Sequence, residues 1–460
     1  MSEPKELPVD LLIQSASIVA FDDAGTEIRD GAIAIAGNRI VWMGKSDESK
    51  QRIRAQETID ATGLIAMPGF VDGHVHTAQQ FLHGKLAAIR RRGQLKDPVW
   101  SRYLVPFESG LEPEDVYCSG LAGYASMISS GTTCFLEAGG PFPDEMGRAA
   151  DEIGIRGRIA LSTMDMDETI PQKSRFTTDE ALKRNEELVK RWQNHPRVNA
   201  WLSLRQIMVN TSALTRGMSD LAKQLGTPIH THLAEGTYEV DYSIAKWGLR
   251  PAEYMESLGA LHQHIHAAHS VLLSLKELDL YQRRDVSACH CAFNNYGMGA
   301  PRVLEMIDRG IRIGLGTDGA ATRGSLDMFE VVHAATVGQQ AVAGTPYHVI
   351  PPITHEQILR ASIRGGARAA RLDQQIGSLE VGKLADLILV EANSPAQFPN
   401  YDPMITLAES TVGPNVRTVI INGRVVMKDR VLLTVDLASM KERVRRQYAI
   451  LMDRFEKAIA

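Results

Sequence analysis

Short runs of apolar residues alternate with segments of helical period through the middle of the chain. The runs lie at 65–76, 132–138, 158–162, 198–204, 228–232, 265–269, 286–289 and 313–318. Amphipathic helical patterns separate them, for example at 181–193, 275–282 and 303–309. Continuous short apolar runs suit strands buried on both faces, as in a parallel sheet. Eight such strands alternating with helices over about 300 residues predict an α/β fold, a (β/α)8 TIM-like barrel. The two ends of the chain follow another pattern. Residues 11–19, 31–35 and 39–44 read as strands separated by turn chemistry at Asp30-Gly31 and Gly37-Asn38. Residues 385–390 and 416–421 read likewise, with Asn422-Gly423 as a hairpin turn. The two ends therefore predict one small β-sandwich domain, from 1–66 and 373–436, with the barrel inserted as 67–372. A charged amphipathic helix over 437–460 follows, packed on the barrel or on a partner.

Composition narrows this little. A hydrophobic content of 44% with 23% charged residues is ordinary for a globular chain, and a net charge of −5 argues against nucleic acid or a membrane surface as partner. No apolar run reaches the roughly 20 residues of a membrane helix. Residues 1–8 carry neither a basic nor an apolar leader segment, and four cysteines make no disulfide framework, so a cytoplasmic location is expected.

In TIM-like barrels chemistry sits at the C-terminal ends of the strands, and several metal-type side chains fall there. The first run ends in His74-Val75-His76; residues two apart on a strand share a face, about 7 Å apart. The fifth ends at His232, with Glu235 three residues on. The sixth ends at His269 and the eighth at Asp318. Singly, each has an ordinary reading: a chance pair, a core histidine, a turn in Gly-Thr-Asp-Gly. Jointly they predict that His74, His76, His232 and Asp318 bind one divalent metal ion, most suitably Zn2+, with Fe2+ or cobalt also suited to the donors. His230 shares a face with His232; His232 is preferred because it lies nearer the strand end and Glu235 follows it. Such a metal would lower the pKa of a bound water from about 15.7 to roughly 7, making hydroxide at neutral pH. Glu235 would shuttle the proton, and His269 would orient or polarise the water or the tetrahedral intermediate. His262, His264 and His266 compete for that second role but precede the strand or lie inside it.

These motifs together resemble the amidohydrolase superfamily, closest to its branch of cytosine, guanine and S-adenosylhomocysteine deaminases and triazine chlorohydrolases. Pro-Gly-Phe-Val-Asp-Gly-His-Val-His at 68–76 is similar to the family's first-strand motif. His-Leu-Ala-Glu at 232–235, Ala-His-Ser at 268–270 and Gly-Thr-Asp-Gly at 316–319 resemble the fifth, sixth and eighth. Residues 376–387 resemble the return into the family's small β domain. The resemblance implies one metal, hydroxide attack on a ring carbon bearing an amino group, and loss of ammonia. It implies catalytic roles for Glu235, His269 and Asp318. Binuclear relatives carry a bridging lysine on strand four; residues 198–205 contain none. Two departures concern substrate. His290-Cys291-Ala292-Phe293-Asn294-Asn295 lacks the family's Pro and Ser. Leu204-Arg205-Gln206-Ile207 stands where nucleoside deaminases have a Pro-His-Ala-Pro-Tyr-like run, which argues against adenosine or S-adenosylhomocysteine. Gln79, Trp100, Arg205, Gln206 and Asn295 are the candidates for holding a heterocycle, since amides and guanidinium read ring nitrogens and carbonyls and tryptophan stacks. The expected activity is hydrolytic deamination of an aminated purine-, pterin-, pyrimidine- or triazine-type ring. Displacement of chloride or an alkylamine from a triazine, and hydrolysis of a cyclic amide, are the alternatives. A homo-oligomer, dimer or tetramer, is a family-level expectation.

Overall fold

The computed structural model describes residues 6–96, 98–344 and 352–459, the last four by backbone only. The first five residues of the stretch read above for a leader, and residue 460 of the expected terminal helix, lie outside them. Among the described residues no helix is long and apolar enough to cross a membrane.

Both ends of the chain enter one nine-stranded sheet. The N-terminal part supplies Leu7–Val19, Glu27–Ala36, Arg39–Lys45, Ile53–Asp60 and Leu64–Pro68. The C-terminal part supplies Leu387–Glu391, Val416–Ile421, Arg424–Lys428 and Val431–Leu432. The halves join where Leu64–Pro68 runs antiparallel to Leu387–Glu391, with Met67 opposite Ile388. Asn422 and Gly423 both take positive φ, 53° and 78°, as the two-residue turn between paired Ile421 and Arg424 requires. Apolar side chains from both halves, among them Ile13, Ile33 and Ile35 with Leu387, Leu389 and Ile420, share one buried cluster.

The middle of the chain forms two parallel sheets. One contains Phe70–Val75, Thr132–Glu137, Arg156–Ile159 and Val198–Ala200; the other contains Leu202–Leu204, Ile229–Leu233, Ile265–His269, Ser287–His290 and Ile313–Leu315. The run expected as one strand at 198–204 changes partner at Trp201. The Trp201 N–H donates to Ile159 O at 2.9 Å, whereas the Leu202 N–H donates to Pro228 O at 3.1 Å. At the opposite edges, the Asp318 N–H donates to His74 O at 2.9 Å and the His76 N–H to Asp318 O at 2.7 Å. Gly316 permits this approach: a Cβ there would meet the His74 backbone N and O at 2.8 Å. The buried Asp72 carboxylate pins the same seam, accepting from the His74 N–H (3.2 Å), the Thr317 N–H (3.1 Å) and the Thr317 hydroxyl (2.5 Å).

The run at 65–76, expected as a single strand, is two. Pro68 has no N–H to continue a ladder, and the Gly69 N–H donates to Asp386 O. Residues before this point belong to the nine-stranded sheet; residues after it pair with Thr132–Glu137. The terminal helix Leu437–Ile459 packs on the helix Pro113–Ser129, with Arg443 paired to Glu114 at 2.7 Å and Arg454 to Asp115.

Candidate active site

The C-terminal ends of the parallel strands surround a cavity of about 1030 Å³. Four residues at these ends, Ala234, His269, Ser270 and Asp318, have φ between 49° and 68°. Non-glycine residues pay for this left-handed conformation, and such strain concentrates where a site needs side chains aimed out of the strand line.

His74, His76, His232 and Asp318 converge. The ring nitrogens of His74, His76 and His232 that could bind an ion lie within 4.8 Å of one another, as do ligand atoms of His74, His269 and Asp318. Asp318 Oδ1 is 3.4 Å from His74 Nε2 and 3.7 Å from His76 Nε2, and Thr322 donates to its other oxygen at 2.9 Å. The far sides of two rings fix what the near sides can offer. His232 Nδ1 lies 2.8 Å from Arg205 O, which can only accept, so that nitrogen carries the proton and the Nε2 lone pair faces inward, 3.1 Å from His76 Nε2. His74 Nδ1 lies 2.8 Å from His230 Nε2, leaving His74 Nε2 buried without a hydrogen-bond partner. Burial pushes the pKa of His74, His76 and His232 well below the usual imidazole range, so the rings are neutral and able to ligate. Inward lone pairs beside a carboxylate, with outer nitrogens held by second groups, fit a divalent cation. His230 sits behind His74 rather than in this set, and His266 is held by Gly73 O and the Ser287 hydroxyl.

Glu235 stands beside this cluster, nearly buried and fully engaged. Its Oε2 accepts from the Tyr238 hydroxyl (2.5 Å) and Gln206 Nε2 (2.8 Å), and its Oε1 from Asn294 Nδ2 (3.1 Å). His269 Nε2 is 3.7 Å from Oε1. Burial opposes charge on His269, but Glu235, Cys291 and Asp318 outweigh it and hold its pKa well above the ordinary value.

The residues expected to hold a substrate divide into two groups. Arg205, Gln206 and Trp100 line the cavity. Arg205 donates to Glu108 Oε2 at 2.8 Å, and both side chains are buried. Gln206 Oε1 and Trp100 Nε1 are buried with no partner among the described residues. Gln79 and Asn295 are not on the cavity wall. Gln79 donates to Glu108 Oε1 at 2.6 Å, behind Arg205. Asn295 lies behind His269, its Oδ1 at 3.0 Å from His269 Nδ1. Sequence reasoning passes over Glu108, Tyr238 and Asn294. Tyr238 lies three residues beyond Glu235 in the next helix, Thr237–Trp247, and Asn294 adjoins the Asn that was singled out; Glu108 carries no local signal.

Residues 65–426 match the amidohydrolase family. The 5-methylthioadenosine/S-adenosylhomocysteine deaminase of Desulforudis audaxviator is 32% identical over 430 residues, covering 93% of this chain and 95% of that protein. The protein of the same name from Syntrophobacter fumaroxidans is 30% identical, covering 95% and 97%. Among solved structures, a zinc-bound adenosine deaminase from Xanthomonas campestris superposes with a TM-score of 0.89 at 26% identity, over 97% of this chain and 100% of that one. The zinc complex of atrazine chlorohydrolase from Arthrobacter aurescens shares the fold, with a TM-score of 0.83 at 22% identity over 95% and 100%. The family match over most of the chain and a donor set suited to one divalent ion lead to one conclusion: the chain belongs to the amidohydrolase family and is a hydrolase of non-peptide carbon–nitrogen bonds.

Proposed function

We propose that this chain is a zinc-dependent aminohydrolase of cyclic amidines, removing an exocyclic amino group as ammonia from a purine-, pterin-, pyrimidine- or triazine-type ring. One observation carries the reading: a neutral three-histidine and aspartate cluster opens on a large cavity beside a carboxylate held by three donors. His74, His76, His232 and Asp318 would hold the ion, which when bound supplies a water activated for attack at neutral pH. Glu235 would hold a proton at its carboxylate and pass it toward the departing nitrogen. The three donors on its carboxylate fix its direction, so that little reorganisation accompanies transfer. His269, held from behind by Asn295, presents Nε2 to the oxygen that gains charge. Arg205, its position set by Glu108, directs its remaining N–H groups at ring acceptors. Gln206 cannot turn, because its Nε2 is committed to Glu235, and so offers Oε1 to a ring N–H. The Trp100 ring supplies an apolar wall for stacking.

Relatives named for methylthioadenosine and S-adenosylhomocysteine support deamination as the chemistry; Arg205-Gln206 at the fourth strand end favours a ring with its own donor and acceptor edge. The same reading takes the parallel strands as one closed eight-stranded barrel, supported by the hydrogen bonds between Asp318 and residues 74–76, and the two-ended sheet as its sandwich domain. The test is a screen of aminated heterocycles with zinc-loaded protein, measuring ammonia and product mass. Ammonia with a product in which oxygen replaces the amino group is expected. Turnover of no aminated ring overturns the reading; release of chloride or an alkylamine, or a ring-opened product, replaces it with one of the other hydrolyses.

A further inference from the structure

A second cavity, of about 370 Å³, lies where the strands Val198–Ala200, Ile229–Leu233 and Ile265–His269 begin, away from the histidine cluster. Its charged and ionisable lining groups are Arg158, Lys190, His264 and Arg371, and among the described residues no carboxylate lines it. Lys190 is bonded to Glu186 on its own helix, and Arg371 donates to Gln263 O. Arg158 is the anomaly. Two residues earlier on the same strand, Arg156 is buried with Asp386 against it, Nε to Oδ2 at 2.6 Å and Nη2 to Oδ1 at 3.1 Å. Arg158 is half-buried and has no carboxylate partner among the described residues. Its Nη1 donates to Asn199 Oδ1, and its Nε is buried without an acceptor among the described residues. Burial pulls its pKa down to about 10. A shielded guanidinium without a counter-charge is costly, and folded proteins normally pair it. The groups acting on His264 besides its burial are Arg371, Arg312 and Lys223, all cations.

We propose that this cavity is a binding site for a small oxyanion ligand, a phosphate or a carboxylate, gripped by Arg158 and Arg371. Guanidinium forks match the geometry of both anions. Trp201 forms part of the wall and contacts His230 and His266, with ring centroids 6.4 and 5.7 Å apart, so its emission would report occupancy.

The test titrates the full metal-loaded chain with inorganic phosphate and, separately, with malonate, at constant ionic strength, by calorimetry and tryptophan fluorescence. Saturable binding of one of them is expected, and the stronger arm identifies the ligand class. Arg371→Gln, at an exposed position, and Arg158→Gln should each weaken it by about tenfold or more, as loss of a charge-assisted hydrogen bond implies. No saturable response to either anion overturns the proposal. So does a response unchanged in the Arg371→Gln protein, which would place the anion elsewhere, for instance at the metal cluster. The outcome is independent of whether any heterocycle is deaminated.

Discussion

The two ends of the parallel strands hold opposite kinds of unfinished electrostatics. At the C-terminal ends, among the described residues, His74 Nε2 and Gln206 Oε1 are lone pairs or acceptors left without partners, a carboxylate faces three neutral imidazoles, and the unpartnered donor, Trp100 Nε1, is a neutral one. At the N-terminal ends, among the described residues, Arg158 is a donor cation with a buried Nε left over and no carboxylate against it, beside a paired one, Arg156. Other charges are closed in pairs, as in Arg205 with Glu108, or buried Glu277 with the partly exposed Arg250. The difference teaches where to look for ligands and of which sign. A folded chain tolerates uncompensated buried polarity only where something outside the chain completes it or where the fold has stability to spare.

The largest expected effect comes from removing a donor at the first end. His232→Ala should leave the protein with less than about half an equivalent of zinc after reconstitution and cut turnover by more than about 10³-fold. Full metal content in this variant would show that the cluster is not the binding set. Glu235→Gln separates chemistry from metal binding at the same end. It should retain zinc while kcat falls by about 10²–10⁴-fold, the contribution of a positioned proton carrier. If zinc is lost as well, Glu235 is acting as a ligand.

The second end is sharpened by paired substitutions on one strand. Arg156→Met strands the Asp386 carboxylate and should lower unfolding stability by about 3–5 kcal/mol. Arg158→Met strands no acid and should stay within about 1 kcal/mol of the parent, the scale of one hydrogen bond to Asn199. Urea unfolding of the two variants checks this. Equal losses would mean that Arg158 has a partner of its own.

Much of the first end is legible in the sequence because metal-type side chains at strand ends keep short, fixed spacings: two residues from His74 to His76, three from His232 to Glu235. Less of the supporting shell is legible. Glu108 meets Arg205 across 97 residues of chain, and no local pattern announces such a pair. Gln79 and Asn295 are placed by geometry of the same kind: expected at the ring, they bond Glu108 and His269 and do not line the cavity. The break at Gly69 hides in a run that is apolar on both sides, because both sheets there are buried. The switch at Trp201 hides likewise, since a strand that changes neighbours keeps its pattern. Arg158 has no signature at all: its oddity is the lack of an acid, visible only once three-dimensional neighbours are known.

The smallest effect tests whether the first end depends on aim as well as on composition. Asn295 Nδ2 is 3.1 Å from His269 O and 2.9 Å from His290 Nδ1, both of which can accept from it. Its Oδ1 is therefore left to accept from His269 Nδ1–H, and that bond turns Nε2 toward Glu235 and Asp318. Asn295→Ala removes the constraint without touching a metal donor or the cavity wall. A second group orienting an active imidazole is worth about 10–100-fold. The loss should fall on kcat, with KM and zinc content little changed, because His269 then samples orientations in which it cannot meet the developing charge. An unchanged kcat would mean that packing alone aims His269, and the contrast between the two ends would rest on the donors themselves.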